Sequence, residues 1–251
     1  MGTSAWETAE AAASAAEVTL RAADRPGDVV AILEIMRATW GAEGLMPPEM
    51  IVALAEAGNV PYAAFDGDTM VGYVLGWAGV DPQDGLHMHS HMLAALPERR
   101  HRGVGTALKL AQRAQCLDQG VHLVRWTFDP LIARNAWLNL GKLGAVADRF
   151  RRDFYGEMSD ALNAGDRSDR LVVCWDLDRE PGLRVLPQTA ERLPVPRDYP
   201  ALRAEDPAAA DQERDRVGLA LDEFLGAGRI VAGFDPQASA YLIGDPEEVP
   251  A

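Results

Sequence analysis

The six residues Arg100-His101-Arg102-Gly103-Val104-Gly105 constrain this chain more than any other stretch. They lie between a strand-like run, Leu86 to Leu96, and a helix-like run, Gly103 to Gln119. The helical run sets Ala107, Leu110, Ala111, Ala114 and Leu117 on one face before Gly120 closes it. Glycines at a strand-to-helix turn let backbone amides approach an anion closely and aim at it from the helix N-terminus. Such a nest of amides needs small residues at the points of approach rather than a particular side chain. A Gly-x-Gly pair alone is a weak signal, and the flanking strand and amphipathic helix strengthen it. The turn also gathers Arg99, Arg100, His101 and Arg102 in a chain of formal net charge −14. Cation concentrated on an acidic background reads as a local anion site. The same net charge opposes general affinity for nucleic acid, whose binding needs a basic footprint, and disfavours anionic membrane surfaces.

No stretch approaches the roughly 18 consecutive apolar residues of a membrane span. The N-terminus shows no basic segment followed by an apolar core, so no secretory signal is expected and the expected compartment is the cytosol. Cys116 and Cys174 fall in segments that read as helix and buried strand, and both read as small core hydrophobes.

The chain reads as three parts. Residues 1–17 are rich in Ala and Glu with little apolar periodicity and read as an N-terminal extension. Residues 18–180 alternate strands and helices. Val18 to Ala22 is a strand, and Pro26-Gly27-Asp28 opens a helix with Val29, Ile32, Leu33, Met36 and Trp40 at helical spacing. Pro47-Pro48 begins a second helix, closed by Gly58. Tyr62 to Phe65 and Met70 to Trp77 form a hairpin across Asp66-Gly67-Asp68. After the basic turn and its helix, Val121 to Phe128 is a strand. Asp129 and Pro130 then have the chemistry of an N-cap and first helical residue, for a helix running to about Leu143 and ending at Gly144. Strands around Ala145 to Phe150 and Leu171 to Leu177 flank a polar loop, Asp153 to Arg170. In residues 181–251, six prolines from Pro181 to Pro207 break the first part into coil. An amphipathic helix marked by Val217, Leu221, Phe224 and Leu225 and a hairpin across Asp235-Pro236 follow. This αββ appendage is expected to pack on the core, with a homodimer interface as a second destination for the helix's apolar stripe.

Three histidines, His87, His89 and His91, alternate along one strand and share a face. About 7 Å between same-face neighbours is awkward for three ligands on one ion, so no metal is expected. An imidazole with an ordinary pKa near 6.5 suits proton transfer at neutrality. Arg134 and Arg170 have the planar fork for a carboxylate on an acidic or amino-acid-like acceptor, and equally the chemistry of structural ion pairs. Trp126 and Phe128 read either as walls of an acceptor pocket or as core.

The run Pro97-Glu98-Arg99-Arg100-His101-Arg102-Gly103-Val104-Gly105 resembles the pyrophosphate-binding motif of the GNAT acyltransferase superfamily, Arg/Gln-x-x-Gly-x-Gly/Ala. The element order from Val18 to Leu177 resembles that family as well. More narrowly, Ser90-His91-Met92-Leu93, Trp126 to Leu131, Arg134-Asn135-Ala136, Lys142 to Ala145, Tyr155-Gly156, Leu162-Asn163 and Ser168 to Leu171 are similar to a bacterial branch of predicted acyltransferases. The resemblance implies an α/β (α+β) fold, a mixed central sheet flanked by helices, here with the C-terminal appendage. It implies coenzyme A in a V-shaped opening between Leu86–Leu96 and Val121–Phe128, its pyrophosphate on Arg100, His101, Arg102, Gly103, Val104, Gly105 and Thr106. It implies a pantetheine arm paired like an added strand with the backbone at Leu93 and Ala95, where an amide also stabilises an oxyanion, and Asn135 near that arm. The family's usual general-acid tyrosine is missing, since Leu138-Asn139-Leu140 stands in its place; Tyr155 is the substitute candidate. His91, nearest the opening, is the candidate base, with a core or hydrogen-bonding histidine as the alternative reading. The activity implied is transfer of acetyl, or a larger acyl such as succinyl, from an acyl-CoA to a small primary amine in a ternary complex. The missing tyrosine keeps a second class open: an acyl-CoA-binding sensor or scaffold without turnover.

Overall fold

Helix α1, Ala5–Ala15, opens the part of the chain that the computed structural model describes, residues 4–100, 102–184 and 190–247. Ser4 and Glu7 close a capping box: Ser4 Oγ accepts the Glu7 amide at 3.2 Å, and the Glu7 carboxylate accepts the Ser4 amide at 2.6 Å. The inward face is Ala9 and Ala13, residues too small to register as an apolar stripe.

The chain divides into two compact units, residues up to Val124 with Met158–Asp166, and Arg125–Glu157 with the residues from Arg167 onward. In the first, β1 (Thr19–Ala22), α2 (Asp28–Trp40), α3 (Pro48–Glu56), β2 (Tyr62–Asp66), β3 (Thr69–Asp81), β4 (Gly85–Ala95) and α4 (Val104–Asp118) follow α1. The strands run antiparallel in the order β1-β2-β3-β4. Alternation along β3, reset by a bulge at Val71 where the pairing steps from Gly72–Ala64 to Met70–Phe65, sorts its side chains to two faces. Tyr73 and Leu75 pack with Ile32, Ile35 and Met36 of α2. Val71 and Val74 pack with Ala13 of α1 and with Val104, Ala107 and Leu108 of α4. The Trp6 indole donates to Asp118 at 2.7 Å, tying α1 to the end of α4. The start of α2 is fixed by Arg21, whose guanidinium donates twice to Asp28, at 2.7 and 2.8 Å.

In the second unit, β5 (Leu123–Phe128, entering from the first) leads to α5 (Ala133–Ala136), which continues as a π-helical turn over Trp137–Lys142. Then come β6 (Val146–Arg151), β7 (Arg170–Asp176), β8 (Glu191–Pro194), α6 (Tyr199–Glu205), α7 (Pro207–Gly226), β9 (Ile230–Asp235) and β10 (Ala240–Gly244). Their strands lie in the order β5-β7-β6-β9-β10-β8. The π turn replaces the plain helix read from sequence. Gly141 gives the turn room: the Trp137 ring lies where a Cβ would stand, 2.0 Å away.

Asp129 is not the N-cap of α5. Its Oδ1 accepts the Leu131 amide at 2.9 Å in a local turn, and the helix begins only after Ile132. The same carboxylate takes the guanidinium of Arg214 on α7, at 2.9 and 3.3 Å. Arg214 is 2% exposed, and its Nε donates to the Tyr199 hydroxyl at 3.1 Å. Tyr241 on β10 donates to the Pro130 carbonyl at 2.6 Å, and Val231 on β9 pairs with Ala147 on β6. Val217 and Leu221 of α7 are buried, and Phe224 and Leu225 half-buried. Among the described residues, no helix is long and apolar enough to cross a membrane.

Candidate active site

The α4 helix begins at Gly103, whose φ of +91° is the left-handed conformation that favours glycine. An N-cap without a side chain offers no internal acceptor, and the first turn holds no acidic residue. Its first amides, which no helix can satisfy internally, therefore keep the character of an anion cradle. The cations around it divide their work. Arg99 pairs with Asp66, Arg100 Nε donates to the Ala95 carbonyl at 3.3 Å, and Arg102 is exposed. His101 lies outside the described residues.

On β4 the histidines do not form a simple row. Trp77 faces His89, Gly76 faces Ser90, and Leu75 faces Met92, so His91 is the extra residue of a β-bulge. The bulge breaks the alternation: His91 stays beside Trp77 and His89, with ring centroids 4.8 and 5.8 Å away, while Leu93 turns to the α4 side. Burial lowers the pKa of His91. His89 is pushed down to about 4, by burial first and then by His91, His87 and Lys109. Both imidazoles are thus neutral at pH 7. His87 turns away, its Nδ1 3.1 Å from the Gly85 carbonyl and 3.9 Å from the Asp81 carboxylate. Among the described residues no cluster of three His, Cys, Asp or Glu side chains forms a metal-ligand set.

In the second unit the Tyr155 hydroxyl lies 3.2 Å from Thr127 Oγ1 on β5. Its loop is clasped from behind. Ser168 Oγ accepts the Tyr155 amide at 2.9 Å and donates to the Gly156 carbonyl at 2.9 Å, and Asp169 accepts the Asp153 amide at 3.0 Å. The Arg170 guanidinium sits 5.4 Å from the centre of the Tyr155 ring.

The sequence model of the acetyltransferase (GNAT) family matches residues 29–141, from the start of α2 through the anion cradle to the π turn. Residues 29–141 are thus similar to a GNAT-family acetyltransferase domain. Solved structures share the fold of this domain. The ribosomal-protein-S18-alanine N-acetyltransferase of Escherichia coli is 14% identical with a TM-score of 0.51, over 65% of this chain and 96% of its own. Naa20 of Chaetomium thermophilum, solved with a bisubstrate analogue, is 18% identical with a TM-score of 0.50, over 66% of this chain and 94% of its own. Diaminobutyrate acetyltransferase EctA of Paenibacillus lautus, solved with L-2,4-diaminobutyric acid and coenzyme A, is 18% identical with a TM-score of 0.50, over 65% of this chain and 98% of its own. At these identities the likeness concerns the fold. No curated protein matches the sequence.

Within residues 29–141 the cradle residues Gly103, Val104, Gly105 and Thr106 stand together at the head of α4, with Leu93 and Ala95 on β4. Asn135 is half-buried in α5, and Arg134 beside it is exposed. Trp126, read from sequence as either acceptor wall or core, lies in the core. It is 7% exposed and packs edge-to-face on Trp175, at 6.1 Å, as a core residue. Arg170 is buried, its guanidinium bonded to the Asp169 carbonyl at 2.9 Å and lying beside the Tyr155 ring. The sequence reading missed Lys109 and Ser90, both buried, with Lys109 Nζ donating to Ser90 Oγ at 2.9 Å. The signal available was the spacing of Lys109, Gln112 and Arg113 on α4, which periodicity assigns to solvent.

Proposed function

We propose that this protein transfers an acetyl group, or a larger acyl such as succinyl, from coenzyme A to a primary amine of a small molecule in the cytosol. The observation that carries the reading is the uncapped α4 N-terminus at Gly103, an anion cradle inside the residues that match the GNAT family. Its amides and the exposed Arg102 suit a pyrophosphate, and the backbone at Leu93 and Ala95 lies on the strand that leads into it. The fold neighbours are named for amine acceptors: an alanine of ribosomal protein S18 and diaminobutyrate. An amine as acceptor class is consistent with the two neutral imidazoles on β4.

In this mechanism His91 takes the ammonium proton of the acceptor. The free amine then forms the N–C bond as the C–S bond breaks; Tyr155 gives its phenolic proton to the departing thiolate and regains one from the second proton that the acylated nitrogen sheds. The exposed Arg134 holds an acidic group on the acceptor, and Asn135 borders the pantetheine. The test is release of free thiol from acetyl-CoA and succinyl-CoA in the presence of diamines, amino acids, amino sugars and short peptides. Thiol release that depends on one amine class supports the transferase. Binding of acyl-CoA without release in any combination contradicts it and leaves a sensor.

A further inference from the structure

Lys109 sits near the middle of α4 and is 2% exposed. Its ammonium donates at 2.9 Å to Ser90 Oγ and at 2.9 Å to Gln112 Oε1. Ser90 is itself buried, and it is the residue immediately before the bulge at His91. From the opposite strand the bulge is pressed by Gly76, where an added Cβ would lie 2.5 Å from the His89 carbonyl oxygen and 3.0 Å from Ser90 Cα. The irregularity in β4 is thus held from β3 by a residue with no side chain and from α4 by a long, buried, charged one. A bulge re-aims the side chains beside it, and this one keeps the His91 ring against Trp77.

We propose that Lys109 is a positioning residue for acyl transfer: by gripping Ser90 from α4, it fixes the β4 bulge and so the place of the His91 imidazole. The inference rests on the transferase reading above. It explains a costly feature. Removing the Lys109 ammonium from water lowers its pKa to about 7, so an apolar side chain of the same length is the cheaper occupant. Titratable groups acting on it include Cys116 on its own helix, whose thiol burial pushes up to about 12, and His89 on β4. A group that costs stability is expected where its hydrogen bonds serve function. Loss of the Lys109 proton near neutrality takes one donor from the grip. The change is then transmitted to the backbone at Ser90 and His91.

The experiment uses the full chain as wild type, Lys109→Met and Ser90→Ala. The amide resonances of Ser90, His91 and Met92 are followed from pH 5.5 to 9, beside steady-state kinetics with acetyl-CoA and the best amine from the panel. The wild-type resonances are expected to show an inflection near pH 7, distinct from the lower-lying histidine titrations, and Lys109→Met to lose it. Both variants should lower kcat by about 10- to 100-fold, the scale for a misplaced reacting group. Their KM for acetyl-CoA should stay within about twofold, since the cradle at Gly103 is untouched. Ser90→Ala keeps the test open if Lys109→Met does not fold. Unchanged kcat in the variants beside an active wild type overturns the inference alone, as does a near-neutral inflection that survives in Lys109→Met. No thiol release by the wild type contradicts the transferase reading itself.

Discussion

Replacing Lys109 with Met should stabilise the protein, and by an amount that depends on pH in a defined direction. The folded state lowers the Lys109 pKa from 10.5 to about 7, chiefly through burial. Above the unfolded value the group is neutral in both states and the penalty is absent. As pH falls, the unfolded chain takes up a proton that the folded chain resists, and the penalty is complete below the folded pKa. A shift of this size corresponds to roughly 4–5 kcal/mol. Against it stand the hydrogen bonds to Ser90 and Gln112, whose loss leaves buried polar groups short of a partner and costs about 1–3 kcal/mol. Below pH 7 Lys109→Met should therefore be more stable than wild type by about 2–3 kcal/mol. The advantage should shrink by about 1.4 kcal/mol per pH unit between pH 7 and 10 and change sign at about pH 9. Urea denaturation of both proteins at unit steps from pH 6 to 10 measures it. A stability difference that is flat over that range would refute the reasoning, because Lys109 would then titrate as if solvated or neutralised by a counter-charge.

Arg214→Ala should cost about 3–5 kcal/mol, because it leaves the Asp129 carboxylate and the Tyr199 hydroxyl without their buried partner; urea unfolding that moves by less than 1 kcal/mol would count against this anchor for α7. His91→Ala should lower turnover by about a hundredfold with little change in acetyl-CoA affinity. The wild-type rate should fall as pH drops through the His91 pKa, which burial places below its ordinary 6.5, and the variant's pH–rate profile should lack that inflection.

Much of the first unit was legible because its elements advertise themselves by period. The α2 stripe of Ile32 and Met36, the turn at Gly67 and the glycine at the head of α4 each tie a residue type to one local geometry. The misses share a cause: periodicity equates polar with exposed and small with unimportant. It overlooked α1, whose buried face is alanine, and it passed over Lys109, Gln112 and Arg113, which are all buried. The prolines of 181–207 were read as breakers, yet Pro200 and Pro207 stand in the first turns of α6 and α7 behind the capping carboxylates of Asp198 and Asp206. In the candidate site the cradle was legible from the Gly-x-Gly turn. The bulge at His91 was not, because nothing in a row of alternating histidines marks where one residue is left unpaired. Asp129 had the chemistry of a cap, and only the fold brings Arg214, far along the chain, to claim it.

The central claim is that coenzyme A is held at the head of α4, and binding of acetyl-CoA to wild type and Gly105→Val tests it most directly. Valine is no worse than glycine inside a helix, so the variant should fold and melt like the wild type. On the proposed reading, its branched side chain crowds the amides that face the pyrophosphate. Acetyl-CoA at a hundred times its dissociation constant should stabilise the wild type by about 2.7 kcal/mol and the variant by almost nothing. Equal stabilisation of the two proteins would place coenzyme A elsewhere and contradict the account.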